Sequence, residues 1–270
     1  MLFRADSLRS NTSAQVRSVE MVVSAAYDMI GLSRAAERTN DRRAGAGPES
    51  VRTYAAEGEA CDDRWVRHAW HVWWAPSLFW RDDLTWPNGA TTVCIVRADA
   101  ALAYVSVQGI LYTSESSAAP VCSAYVPGIV KLPSVADRLA EFPLLRPPFP
   151  ESDWSFATGA PAQHLGREAR RIRATRRAGT LRTHESQPSG YWAGIDEYEC
   201  VVDVELGSLL SLAGLVDGAL VAVIAADEVR INEAISDDVL AFVPPPGTRT
   251  VQVARRSDEQ RPAEVDPGAG

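Results

Sequence analysis

Six of the eight tryptophans in this 270-residue chain lie between residues 65 and 86. Side chains alternate between the two sides of an extended strand, so a strand through this region carries aromatic rings on both faces. One face would hold Val66, His68, Trp70, Val72 and Trp74, and the other Trp65, Arg67, Ala69, His71 and Trp73. Beyond Pro76, the first set continues in a second predicted strand as Leu78, Trp80, Asp82, Leu84 and Trp86.

Short alternating runs also flank the tryptophans. Turn residues divide residues 51–114 into runs of 6 to 12 residues, a spacing typical of an antiparallel meander. Strand patterns resume at residues 162–177 and continue through residues 197–203, 208–216 and 219–230, with turns at 206–207 and 217–218. The sheet is therefore predicted to be antiparallel and to contain most of the chain.

Three helices are predicted beside these strands. Residues 13–38 place Val16, Val19, Val23, Ala26 and Ile30 at steps of three and four, which indicates an amphipathic N-terminal helix. A short helix is expected at residues 134–141, inside the proline-rich connection of residues 115–153. Another begins at Ser236, whose hydroxyl can cap the following amides. The predicted fold class is α+β, with one large curved antiparallel sheet.

Composition narrows the function classes. Hydrophobic residues make up 46% of the chain, which excludes disorder throughout. The net charge of -8 argues against a nucleic-acid partner, and the arginines of residues 167–182 are interpreted as a solvated face. No apolar stretch is long enough for an integral membrane span, and the first residues lack a secretory apolar core, so a cytoplasmic location is expected.

Signatures of metal and cofactor sites are missing from the sequence. Its four cysteines are widely spaced without a CxxC pair, and buried free thiols are predicted. His68 and His71 face opposite sides of a strand, which prevents joint chelation. No phosphate-binding glycine loop, GxSxG or HExxH motif occurs, so neither a metal nor a cofactor is expected.

The C-terminal third carries a recognisable series of strand starts and turns. These are residues 196–199, 202–207, 209–212, 215–218, 227–232, 240–242 and the turn Pro244-Pro245-Pro246-Gly247. Together with the earlier run TWPNGATTVCIVRADAALAYVSVQGILYTS, this series resembles the actinobacterial branch of the LolA-like superfamily, which contains lipoprotein-localisation and sigma-factor-regulator-like proteins. The resemblance specifies a fold better than an activity, because its motifs are structural.

The resemblance implies a half-open β-barrel of about ten strands over residues 13–253. The N-terminal helix and short helices would lie on its concave face, between a flexible N-terminus of residues 1–12 and a disordered tail of residues 254–270. The family uses the cavity for acyl chains or other lipophilic molecules. The ligand-binding residues predicted here are Trp70, Val72, Trp74, Trp80, Trp86, Tyr104 and Tyr112.

Several functions are compatible with such a cavity. The first is binding of a hydrophobic small molecule, an acyl chain or a polyketide-like ligand, since aromatic walls with few polar groups suit lipophilic ligands. The second is a cofactor-independent cyclase or isomerase of secondary metabolism, with His68 and Asp82 as candidate acid/base residues. The third is a regulator that binds a protein partner at its sheet edge or groove. The tryptophans also suit a simple packed core.

Overall fold

A computed structural model describes residues 16–32, 65–75, 79–97, 100–114, 142–145, 153–177 and 194–253. Twelve strands occur within these ranges. They are β1 Val19–Asp28, β2 Trp65–Ala75, β3 Phe79–Thr85, β4 Thr91–Arg97, β5 Ala101–Val105, β6 Ile110–Ser114, β7 Trp154–His164, β8 Arg167–Arg176, β9 Glu197–Asp203, β10 Leu209–Val216, β11 Ala219–Ile231 and β12 Arg249–Gln252.

All twelve strands belong to one open, curved sheet in the order β12-β6-β5-β4-β3-β2-β1-β11-β10-β9-β8-β7. Neighbouring strands are antiparallel except for β12, which pairs parallel to β6 at one edge. The prediction of a curved antiparallel sheet is therefore confirmed for eleven of the strands. The described helical pieces are only a turn at residues 29–32, a 3₁₀ turn Ser106–Gln108 and a four-residue α-helix Asp237–Leu240.

The predicted α+β fold, with an N-terminal helix and helices on the concave face, is wrong. Part of the segment predicted as the N-terminal helix, residues 13–38, instead forms β1, which lies between β2 and β11 in the middle of the sheet. Its alternate residues Val19, Met21, Val23, Ala25 and Tyr27 are all at most 4% exposed. Valines four residues apart fit the period of a helix and the period of a strand equally well. The segment is a strand because both of its edges are hydrogen-bonded, one to β2 and the other to β11.

The end of β1 shows why the chain changes conformation there. Asp28 accepts hydrogen bonds from the amides of Ile30 and Gly31, at 3.2 and 3.0 Å, and so caps the helical turn at residues 29–32. A Cβ atom at Gly31 would lie 2.6 Å from an Asp28 carboxylate oxygen and 2.7 Å from Val221. Glycine is therefore required where this turn packs against β11.

The sheet buries a separate cluster on each face. The larger cluster covers the face of Val23, Trp70 and Trp80, which we call the core face, and includes residues from β1 to β5 and from β8 to β11. Phe142 and Leu144 of the described segment 142–145 belong to it, and Leu144 accepts a backbone hydrogen bond from Leu209. This segment therefore lies across the core face.

The smaller cluster lies on the opposite face and contains Trp73, Phe79, Val93, Ile95, Tyr104 and Leu111. Residues 232–248, which we call the strap, connect β11 to β12 and bring Ile235, Val239 and Phe242 against this cluster. The predicted helix at Ser236 lies in the strap, where the hydroxyl of Ser236 accepts from the amide of Asp238. That helix prediction is confirmed.

Other predictions fall outside the described residues. These are the helix at residues 134–141, the flexible residues 1–12, the tail 254–270, and Cys61 and Cys122. Cys94 and Cys200 are buried free thiols, as predicted, and burial raises the pKa of Cys200 to about 12. The half-barrel domain boundaries remain a prediction.

Candidate ligand-binding face

The register of β1, β2 and β3 places the tryptophans on the two faces as the alternation predicts. On the core face, Val23 pairs with Trp70 and Ala25 with His68. On the other edge of β2, Trp74 pairs with Trp80 and Val72 with Asp82. Directly opposite residues of an antiparallel pair share a face. We call the core-face residues His68, Trp70, Trp74, Trp80 and Trp86 the tryptophan strip.

The strip is only partly closed by its neighbours. Trp80 is 1% exposed, and its ring centroid lies 5.8 Å from that of Phe142. Trp70 also packs against Phe142, with ring centroids 5.7 Å apart, but remains partly exposed. Trp74 is also only partly buried. Trp70 and Trp74 therefore present the accessible aromatic surface of this face.

Trp74 has a feature that its neighbours lack. Its indole nitrogen is buried, although the ring is partly exposed, and forms no hydrogen bond in the described part of the chain. The indole N–H is only a donor, so it requires an oxygen or nitrogen acceptor. An unpaired buried donor costs about 1–3 kcal/mol, and such groups are rare in folded proteins. The indole N–H of Trp74 can therefore donate to a hydrogen-bond acceptor of a bound molecule.

The indole of Trp80, in contrast, has a partner within the protein. It donates to the carboxylate of Asp82 at 2.5 Å, and Asp82 is 2% exposed. Asp82 was predicted as a catalytic candidate that shares a face with the tryptophans, and the register places it there between Val72 and Cys94. Its carboxylate is engaged in holding the Trp80 ring, which is a structural task.

His68 lies near the start of β2, at the opposite end of the strip from Trp74. Its ring makes edge contacts with Tyr27 and Trp86, at centroid distances of 5.6 and 4.5 Å. His68 is 9% exposed, and its Nδ1 atom is buried without a hydrogen-bond partner in the described residues. Burial lowers the pKa of His68 to about 4, so the ring is neutral at physiological pH.

The remaining predicted ligand residues are distributed differently. Val72 is completely buried within the core. Tyr112 is on the core face, partly buried, and its hydroxyl donates to Gln108 at 3.0 Å. Tyr104 is on the opposite face, because it pairs with Val93, and its ring lies 5.3 Å from that of Phe242. Tyr104 therefore does not join the other predicted ligand residues.

Two aromatic residues that contact the tryptophan strip, Tyr27 and Phe142, were not predicted from the sequence. Tyr27 was missed because β1 was interpreted as a helix, and Phe142 because it lies within the proline-rich connection, outside any predicted strand or helix. A period-two count over residues 19–28 would have revealed Tyr27. Only the tertiary fold brings Phe142 between Trp70 and Trp80.

Charged clusters occur elsewhere in the described structure. Several β8 arginines are engaged: Arg167 pairs with the buried Asp203, Arg173 pairs with Glu197, and Arg176 lies over the Trp154 ring. No group of three potential metal ligands occurs among the described residues. In the same ranges, no helix is long and apolar enough to span a membrane.

Solved structures similar to this chain include members of the superfamily that the sequence resembles. A LolA superfamily protein of Nitrosomonas europaea has 8% identity and a TM-score of 0.32, over 89% of this chain and 99% of that one. An uncharacterized conserved protein from Thermus thermophilus has 9% identity and a TM-score of 0.44, over 92% and 98% of the two chains.

A third similar structure is the MucA/MucB complex of Pseudomonas aeruginosa, with 12% identity and a TM-score of 0.39. The match covers 88% of this chain but only 61% of the other. No protein-family model and no curated protein matches the chain. The LolA-like resemblance thus has counterparts among solved structures, but with TM-scores below 0.5 these say nothing about the ligand of this chain.

Proposed function

We propose that the protein binds a hydrophobic small molecule, such as an acyl chain or a polyketide-like compound, along the tryptophan strip. The observation that carries this proposal is the buried indole N–H of Trp74, which has no partner among the described residues although its ring is partly exposed. A lipophile with a carboxylate or carbonyl oxygen would supply the missing acceptor while its apolar part covers the rings.

The neighbours of Trp74 support an apolar ligand. Trp70 is partly exposed on the same face, and the directly opposite residues are Val19 and Trp80. Burial of apolar surface is favourable by about 25 cal/mol per Å², so a ligand that covers these rings gains affinity from contact alone. The acceptor for Trp74 then fixes the orientation of the ligand.

Calorimetric titration with hexadecanoate tests this proposal, because that probe combines an acyl chain with a carboxylate acceptor. The Trp74→Phe variant keeps an aromatic ring but removes the N–H, and we expect it to bind about tenfold more weakly. The matched control is Trp73→Phe, one residue away on the opposite face. It should change the affinity by less than about twofold.

Two outcomes would contradict the proposal. The first is the absence of hexadecanoate binding to the wild-type protein. The second is an equal loss of affinity in Trp73→Phe and Trp74→Phe, which would mean that the ligand does not distinguish the two faces of β2. Unfolding curves of both variants, recorded in the same buffer, ensure that folded proteins are compared.

A second candidate function is a cofactor-independent cyclase or isomerase that acts on a lipophilic intermediate. The observation that favours it is the buried, neutral imidazole of His68 among aromatic rings. Loss of a general base costs about 10²–10⁴-fold in rate, so His68→Ala should abolish turnover of a polyketide-like substrate while Asp82→Asn tests the other candidate. If neither variant slows a measured turnover, this catalytic assignment fails.

The binding proposal takes precedence because the polar groups suit recognition better than proton transfer. A base with a pKa near 4 is poorly matched to proton abstraction at neutral pH. The Asp82 carboxylate already accepts from Trp80. A protein partner and a cytoplasmic location remain predictions from the sequence.

A further inference from the structure

His68 is the one strongly buried polar side chain of the tryptophan strip that forms no hydrogen bond in the described part of the chain. Its ring makes edge contacts with two aromatic rings, those of Tyr27 and Trp86. Its Nδ1 atom is buried without a partner, which is costly because a polar nitrogen then loses the hydrogen bond that it makes in water. The position therefore calls for a polar group from outside the described residues.

On one edge of β2, His68 has no partner within a strand. Its direct neighbour on β1 is Ala25, which has a small side chain. On the other edge of β2, the pairing with β3 ends at Ala69 and Thr85, so no strand residue lies directly opposite His68. The ring of Trp86, which follows β3, occupies this side instead. A side chain after a strand end can move more easily than one within the sheet.

The chemistry of the ring defines the missing partner. Burial lowers the pKa of His68 to about 4, so the imidazole is neutral and has one nitrogen that can accept a hydrogen bond. The neighbouring aromatic rings disfavour a large charged group, since a charge against aromatic surface would lose its hydration. A hydroxyl group is small, uncharged and able to donate. It therefore fits this end of the strip.

We propose that Nδ1 of His68 accepts a hydrogen bond from a hydroxyl group of the lipophile bound along the tryptophan strip, which assigns the ligand to the class of hydroxylated acyl chains. The inference rests on the proposed function. It adds that the ligand has a polar group at each end and says in which orientation the ligand lies along the strip. His68 and Trp74 are six residues apart on one strand face, which corresponds to about 20 Å. The carboxylate lies at Trp74 and the hydroxyl at the far end of the chain.

The test compares three probes: hexadecanoate, ω-hydroxyhexadecanoate and its ω-methoxy counterpart. The methoxy group has an oxygen of similar polarity but cannot donate a hydrogen bond. Calorimetry should show that the wild-type protein binds the hydroxy acid about tenfold more tightly than the methoxy acid, as expected for one buried hydrogen bond. The wild-type comparison needs no substitution, so it remains valid if a variant fails to fold.

Two variants locate the effect at His68. His68→Phe keeps a ring in contact with Tyr27 and Trp86 but removes the acceptor, so this variant should bind the two ω-substituted acids with equal affinity. His68→Asn places an amide oxygen near the position of Nδ1 and should restore part of the preference. A mere packing role of His68 would lower all three affinities together.

The outcomes separate this inference from the proposed function. If the wild-type protein binds hexadecanoate but does not prefer the hydroxy acid, the hydroxyl assignment is overturned and the binding function stands. The same conclusion follows if His68→Phe retains the preference. If hexadecanoate and both substituted acids fail to bind the wild-type protein, the proposed function is overturned, and the assignment of His68 with it.

Discussion

The two faces of β2 carry the same residue type in different surroundings. On the opposite face, Trp73 is 8% exposed, stacks on His71 at 3.6 Å and lies 5.2 Å from the guanidinium carbon of Arg81. On the core face, its neighbour Trp74 is partly exposed and has an unpaired indole N–H. Trp73 is therefore buried by its neighbours, whereas Trp74 has an accessible ring surface and an N–H group that can still donate a hydrogen bond.

The strap accounts for the difference. Arg81 donates to the backbone oxygens of Val239 and Ala241 and forms a bidentate pair with Asp83, so it connects the strap to the sheet. On the core face, Phe142 covers Trp80 but leaves Trp70 and Trp74 partly exposed. Aromatic content alone therefore does not identify a ligand-binding face. The completeness of the covering layer does.

The largest expected effect comes from truncation of the two adjacent tryptophans. Trp73→Ala should reduce the free energy of unfolding by about 3–5 kcal/mol, because it removes a fully packed ring and its contacts with His71 and Arg81. Trp74→Ala should cost clearly less, since part of that ring is already in water. Urea unfolding measures both. An equal or larger loss in Trp74→Ala would contradict the contrast between the faces.

The next effect concerns pH and the core face. The folded chain keeps His68 neutral down to about pH 4, whereas in the unfolded chain His68 takes up a proton below its ordinary pKa of 6.5. The unfolded state therefore binds more protons in this window, and stability falls as the pH is lowered from about 6.5 toward 4. The decrease of the His68 pKa from 6.5 to about 4 corresponds to about 3 kcal/mol.

The His68→Phe variant isolates this contribution. Its free energy of unfolding should lose about 3 kcal/mol less than that of the wild-type protein between pH 6.5 and 4. The carboxylates contribute equally to both curves, so the difference between the curves reports His68. Parallel curves would show that His68 is not held neutral by its aromatic surroundings.

The third effect concerns the hydrogen bonds that connect the strap to the opposite face of the sheet. Arg81→Met keeps the aliphatic part of the side chain but removes the donors to Asp83, Val239 and Ala241, and should cost about 2 kcal/mol. Hydrogen exchange should accelerate within the strap. The exposed Arg230 pairs with Glu228 on the surface, and Arg230→Met is expected to change little. Similar losses in both variants would mean that the strap does not depend on Arg81.

The sequence was sufficient where the structure is determined by local chemistry. The hairpins at residues 206–207 and 217–218 were predicted because glycine suits a positive φ, and Gly207 and Gly218 have φ angles of 69° and 76°. The faces of β2 and β3 followed from alternation. His68, Trp74 and Asp82 were therefore placed on the face that the structure assigns to them.

Other features depend on distant contacts that no local pattern contains. β1 was mistaken for a helix because its partner strands are distant in the sequence: Val19 pairs with Trp74 of β2 and with Ile231 of β11. Tyr104 was assigned to the ligand face, but its pairing with Val93 places it on the opposite face, where it meets Phe242. The parallel pairing of β12 with β6 cannot be predicted from the local sequence of either strand, and the contact of Phe142 with Trp70 cannot be predicted from the residues around Phe142.

The smallest expected effect concerns the helix of the strap. Ser236 accepts from the amide of Asp238 at 3.4 Å, which is long for a hydrogen bond, and the helix has only four residues. Ser236→Ala should therefore cost about 0.5–1 kcal/mol, the low end for an N-cap. The capped helix positions Val239 against the cluster of Trp73, so the loss should remain on the opposite face.

Hydrogen exchange can check this confinement. In Ser236→Ala, amides of the strap should exchange faster, whereas Leu209, whose amide donates to Leu144 across the core face, should be unchanged. Ser155→Ala, on the exposed surface of β7, serves as the control for loss of a hydroxyl that bonds a backbone oxygen. If Leu209 accelerates together with the strap, the two faces open as one unit. The covering of the opposite face would then also hold the tryptophan strip in place.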